Sequence, residues 1–188
     1  MGKLYQGKQS GFTIVELLIV IVVIGILAAI TVIAYNGIQQ RAKNASMAAT
    51  VGAYVKAIQS YRTAYGSFPA HTACLGQRYA NGFSGSEETD INGQCQSANK
   101  IRENSTFNNQ IKEFTNGALP SPPMDTIGTS TNWNRGIHFN NWSGYGGYYI
   151  GFVMVGDTGC PSIGGLTMWG AGAAQTNGRV CVGTFPSQ

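Results

Sequence analysis

The sequence predicts an α+β chain in which one long N-terminal helix packs on a C-terminal antiparallel β-sheet. The first half of that helix is fit to span a membrane and the second half is amphipathic. Three observations predict this. Residues 12–35 form an apolar run carrying one charge, Glu16, and at about 1.5 Å per residue such a helix extends roughly 36 Å, enough for the ~30 Å hydrocarbon core of a bilayer with some tilt. Apolar side chains then recur at Met47, Val51, Tyr54, Ile58, Tyr61 and Tyr65, steps of four and three residues that line one helical face. From Trp133 onward, short runs rich in aromatic and β-branched residues are separated by glycine and asparagine turns, the signature of antiparallel strands.

The N-terminus differs from a cleaved secretory signal, whose apolar region is shorter and is followed by its cleavage site. Here residues 1–11 form a hydrophilic leader with Lys3 and Lys8 and no acid, a charge pattern that holds it on the cytoplasmic side. Glu16 is the residue that needs an explanation, because a carboxylate within hydrocarbon costs about 2.5–3.5 kcal/mol on insertion scales and calls for a partner. A cut between Gly11 and Phe12 would create an α-amino group four residues from Glu16, one helical turn away. The two charges would then pair, within one chain or between neighbours.

The stretch Gly11, Phe12, Thr13, Ile14, Val15, Glu16, Leu17, Leu18 closely resembles the processing site of type IV prepilins and type II secretion pseudopilins. The resemblance implies cleavage after Gly11 by a prepilin peptidase, N-methylation of Phe12, and a role for Glu16 in docking into a growing filament. It also implies the partners: other copies of the chain and other pilins, an inner-membrane assembly platform, and the membrane itself before assembly. The chain would start as a single-pass membrane protein with its globular part outside, and end in an extracellular filament serving adhesion, motility or DNA uptake. Two other readings compete: a type II secretion pseudopilin, which shares every N-terminal feature, and a signal-anchored extracellular binding protein, which would retain residues 1–11.

Composition fits an extracellular domain. Charged residues are 11% of the 188 against about 25% in an ordinary soluble domain, and the formal net charge of +4 falls to +2 once Lys3 and Lys8 are removed. No strong electrostatic partner follows from that balance. Cys74, Cys95, Cys160 and Cys181 lack any C-x-x-C spacing, which argues against zinc, and an oxidising compartment makes them two disulfides. Three pairings are open from sequence. Cys74 with Cys95 and Cys160 with Cys181 are favoured, since each closes a loop of about 20 residues and stabilises by about 3 kcal/mol in the loop-entropy model. The second pair is also similar to the disulfide-bounded C-terminal region of type IV pilins.

The chain divides into a leader (1–11), a membrane or filament-core half-helix (12–35), an amphipathic half-helix (36–66) and a globular domain (67–188). Asn36, Gly37, Gln39, Gln40, Arg41, Lys43 and Asn44 read as a polar, flexible exit from the apolar run. Residues 30–35 contain no proline, so Gly25 and Gly37 are the weak points of the helix. Gly66 and Pro69 mark its end, and Tyr65-Gly66-Ser67-Phe68-Pro69 resembles the helix exit of pilins and pseudopilins. Residues 70–100 read as loop-rich chain held by a disulfide. A short helix is expected over 105–116, with Phe107, Ile111 and Phe114 on one face and Gly117 as its stop, followed by extended chain at Leu119-Pro120-Ser121-Pro122-Pro123. Strands are expected at Ile137, Phe139, 148–155, 163–169 and 179–185, with a hairpin turn at 144–147 and Phe152-Val153-Met154-Val155 in the central strand.

No catalytic constellation emerges. Asp157-Thr158-Gly159 spells half of an aspartic-protease pair, but that chemistry needs two converging aspartates, and a turn after a strand accounts for the triplet. His71 and His138 are the only histidines and neither has a partner at metal-binding spacing. Glu87, Glu88 and Asp90, with Asn92 nearby, offer oxygens of the kind calcium takes; a solvated acidic loop is the simpler account, so no metal and no cofactor are expected. Lys100, Arg102 and Lys112 are diluted by Glu103 and Glu113, too little positive density for specific nucleic-acid recognition. Trp133, Trp142, Tyr145, Tyr148, Tyr149 and Trp169 read first as sheet packing and second as a surface for adhesion or glycan contact.

Overall fold

The computed structural model describes residues 11–76, 94–156, 159–169 and 172–186. The acidic stretch Glu87, Glu88, Asp90 and the Asp157-Thr158 pair lie outside them. One helix, α1 (Ile14–Tyr65), runs from the apolar stretch into the globular part. The chain divides into two compact units, the first ending at Gln39 and the second running from Gln40 to Gln188.

In the second unit the C-terminal half of α1 presents Met47, Val51, Tyr54, Val55 and Ile58, all buried, to one hydrophobic core. Gly66 ends the helix in the left-handed conformation (φ 73°), with its N–H donating to Arg62 O at 2.8 Å, as expected for a glycine just past the last turn. The exit region at 36–44 continues the helix, as expected. Two of its polar residues are ties: Gln40 Nε2 donates to Val155 O at 2.8 Å, and Asn44 both donates to Val155 O (3.0 Å) and accepts from Val155 N (2.9 Å). The Asn44 amide thus stands in for a neighbouring peptide at the end of a strand.

Two antiparallel sheets complete the unit. The larger contains β1 (Ala73–Cys74), β6 (Ile137–Trp142), β7 (Gly147–Val155), β8 (Thr167–Met168), β9 (Ala173–Gln175) and β10 (Gly178–Thr184). Its order is β1-β6-β7-β10-β8, with β9 pairing on β10. The expected hairpin is present: β6 and β7 pair from Ile137↔Phe152 to Trp142↔Gly147 around a 3₁₀ turn, Ser143–Tyr145. The central strand is β7, flanked by β6 and β10, and its run of buried residues matches a strand covered on both faces. The smaller sheet, ordered β3-β2-β5-β4, contains β2 (Gln94–Gln96), β3 (Ile101–Arg102), β4 (Thr126–Gly128) and β5 (Trp133–Arg135).

In the loop-rich stretch 70–100 the described residues include the short strands β1 and β2, joined by the expected disulfide. Two expectations are corrected. The strand expected over 163–169 shrinks to Thr167–Met168; Ile163 is instead buried as a side chain in the core, and Gly165 (φ 88°) turns the chain beneath Val55 and Gln59. The helix expected over 105–116 is α2, Ser105–Lys112. Asn104 caps it by accepting from Phe107 N, Phe107 and Ile111 are fully buried, and the chain leaves through the left-handed residues Asn116 and Gly117.

Both disulfides join separated elements. Cys74 on β1 pairs with Cys95 on β2, so one bond fastens the two sheets together, and Cys160 pairs with Cys181 on β10.

His138, on β6, is buried with its ring lying where a Cβ at Gly151 of β7 would be. Burial pushes its imidazole down to about 4 from an ordinary 6.5. Between those values the unfolded chain binds the extra proton, so stability is complete above about pH 6.5 and falls as pH drops towards 4, by about 3 kcal/mol in full. Melting of the wild type should therefore fall more steeply with acidification than that of His138→Gln; parallel melting curves from pH 7 to 4.5 would refute a buried neutral ring.

Candidate functional site

The candidate site is the N-terminal end of α1. Every described side chain from residue 11 to residue 31 is exposed, including Phe12 at 82%, Ile14 at 84% and Leu17 at 59%. The helix contains a stretch long and apolar enough to cross a membrane, and the described side chains of that stretch are exposed. So large an uncovered apolar surface calls for lipid or other chains.

Glu16 sits in the first turn of α1. Its Oε2 accepts from Thr13 N at 2.9 Å and from Thr13 Oγ1 at 2.8 Å, while Glu16 N donates to Thr13 Oγ1 at 3.3 Å. This reciprocal arrangement is a capping box, with Thr13 at the cap and Glu16 three residues on. The Thr-Ile-Val-Glu spacing carries the signal, and Thr13 is the residue that the sequence analysis passed over. Helical geometry begins at Ile14, so Phe12 lies just outside the helix and the carboxylate is engaged by Thr13, one residue beyond the amine that cleavage would create.

The other singled-out residues do not converge. His71 is exposed, and His138 is buried in the larger sheet. Lys100 and Arg102 share a shallow surface with Glu103, and Glu113 accepts from Tyr65 Oη at 3.2 Å. Among the described residues no three His, Cys, Asp or Glu side chains come together. The aromatic group splits: Trp133 is fully buried and Tyr149 nearly so, Tyr148 stacks on Phe139 at 5.5 Å, and Trp142 and Trp169 stay about half exposed.

Comparison with known proteins bears on the N-terminal end. The family model described as the prokaryotic N-terminal methylation motif matches residues 6–32. The chain is 40% identical over 68 residues to fimbrial protein EcpC of Eikenella corrodens, covering 36% of this chain and 44% of that protein. It is 29% identical over 112 residues to a fimbrial protein of Neisseria meningitidis serogroup A, and 28% identical over 104 residues to one of serogroup B, each covering 55% of this chain and 61% of the relative. The match thus spans less than two thirds of each relative's length. No solved structure matches the chain. The chain thus carries a prokaryotic N-terminal methylation motif leading into an exposed apolar helix, ahead of antiparallel sheets, and over part of its length it is similar to fimbrial proteins.

Proposed function

We propose that the chain is a structural subunit of a type IV pilus-like filament, held in the membrane by residues 12–35, cut between Gly11 and Phe12 by a prepilin peptidase and N-methylated at Phe12. An inner-membrane assembly platform then draws it into a filament of like chains. The observation that carries this reading is the coincidence of the methylation-motif match at 6–32 with an apolar helix stretch whose described side chains are exposed.

Assembly transfers that half-helix from lipid tails to the side chains of neighbouring helices. Because lipid is as apolar as leucine, the transfer gains little hydrophobic free energy, and close packing with a few polar pairs must select the register. Glu16 is the one charged side chain in the run. Paired with the amine that cleavage creates, it fixes where each subunit stops along its neighbour.

Terminal sequencing and intact mass, on protein sheared from cells and on membranes, test this directly. Mature protein should begin at methylated Phe12 and be abundant in the sheared fraction. A chain beginning at Met1 and confined to membranes would replace the filament subunit with a signal-anchored protein.

A further inference from the structure

A cleft of about 410 Å³ in the globular unit lies where the β6–β7 turn and the β8–β9 region meet the smaller sheet. Its lining includes the aromatics Trp142, Tyr145 and Trp169 and the amides Asn99, Asn132 and Asn134. The aromatic part is preformed. Tyr145 packs edge-on against Trp142 at 4.7 Å and Trp169 at 5.0 Å. The Trp142 ring also folds over Gly144, close enough that a Cβ there would strike it. Trp142 and Trp169 nonetheless stay 54% and 47% exposed, so part of each indole is open to a ligand.

The lining also holds a group that points to a ligand. Asn134, on β5, is only 5% exposed, yet its Oδ1 has no hydrogen-bond partner among the described residues. A buried acceptor left unpaired is costly, and Asn134 is one of the residues that line the cleft. Among the described residues, no Asp, Glu, Lys or Arg contributes to the lining, and the imidazole of His138 there stays neutral through burial. A charged ligand would enter such a site without a counter-charge. A molecule with an apolar C–H face and several neutral hydroxyls suits this lining, stacking on the indoles and exchanging hydrogen bonds with the amides.

We propose that this cleft binds a neutral saccharide, with Trp142 and Trp169 as the stacking platform and Asn134 among the hydroxyl-reading groups.

The test uses the full chain in a zwitterionic detergent without a sugar headgroup, titrated with lactose, N-acetyllactosamine, cellotriose and diacetylchitobiose. Calorimetry and tryptophan fluorescence provide the readout. At least one sugar should bind saturably at one site per chain. Trp142→Ala and Trp169→Ala should each weaken that binding about tenfold or more, as loss of an aromatic anchor does, while circular dichroism stays that of the wild type. Because both rings are half exposed, neither substitution removes a core residue. No binding by any of these sugars up to the solubility limit would overturn the proposal, as would binding indifferent to both substitutions. Sugar-independent self-association that disappears in the tryptophan variants would also overturn it, assigning the face to a second copy of the chain.

Discussion

Replacing Glu16 by alanine should leave the chain in the membrane but cut its recovery in sheared filaments about a hundredfold or more, because in the proposed filament it would remove one partner of a buried ion pair and leave the other uncompensated, at a cost of about 3–5 kcal/mol. Insertion should not suffer, since a carboxylate in hydrocarbon opposes it. Glu16, however, also caps α1 through Thr13, so alanine removes two functions together. Glu16→Gln separates them, because glutamine serves equally in a capping box but carries no charge. If the negative charge is what docks the subunit, the glutamine variant fails to assemble as alanine does. Filaments from Glu16→Gln at wild-type levels would reduce the residue to a helix cap. Quantifying the subunit in sheared and membrane fractions of cells expressing each variant as the only copy decides between them.

Much of the architecture was legible because it rests on periodicities that tertiary context cannot easily override. The four-three spacing from Met47 to Ile58 became the buried face of α1, Gly66 became its left-handed stop, and the unbroken apolar run at 152–155 fell within the central strand. The smaller sheet was hidden for a physical reason. Its strands are two or three residues long, too short for a period of two to declare itself. Their pairing is fixed by distant partners, with Cys95 bonded to Cys74 and Ser97 exchanging hydrogen bonds with Trp133.

Polar residues were the other gap. Gln40 and Asn44 look in sequence like a solvated helix exit, yet they clasp the Val155 peptide across more than 100 residues of chain, and no local pattern encodes a partner so far away. At the N-terminal end the opposite holds: Thr13 and Glu16 spell a capping box within one turn, a signal that is wholly local. Asn134 belongs with the first group. An asparagine between two strands reads as a turn residue until the fold buries it against a cleft.

Reducing both disulfides is expected to bring the globular unit to the edge of stability. Each bond spans a sequence separation of 21 residues, for which loop entropy gives about 3 kcal/mol, and the two together approach the 5–15 kcal/mol that holds a typical domain folded. The bonds should differ in what they release. Cys74–Cys95 links β1 of the larger sheet to β2 of the smaller one, so Cys74→Ser/Cys95→Ser should loosen the smaller sheet first and expose Trp133, which is fully buried on β5. Cys160–Cys181 anchors a surface segment to β10 beside the central strand, so Cys160→Ser/Cys181→Ser should lower the unfolding midpoint of the larger sheet while leaving the Trp133 environment intact below the transition. Urea unfolding of the full chain in detergent, followed in parallel by tryptophan emission and by strand circular dichroism, distinguishes them. Non-coincident transitions are expected for the first pair and coincident, down-shifted ones for the second. Coincident transitions in both variants would mean that the two sheets unfold as one unit and that the inter-sheet bond acts only on the unfolded chain.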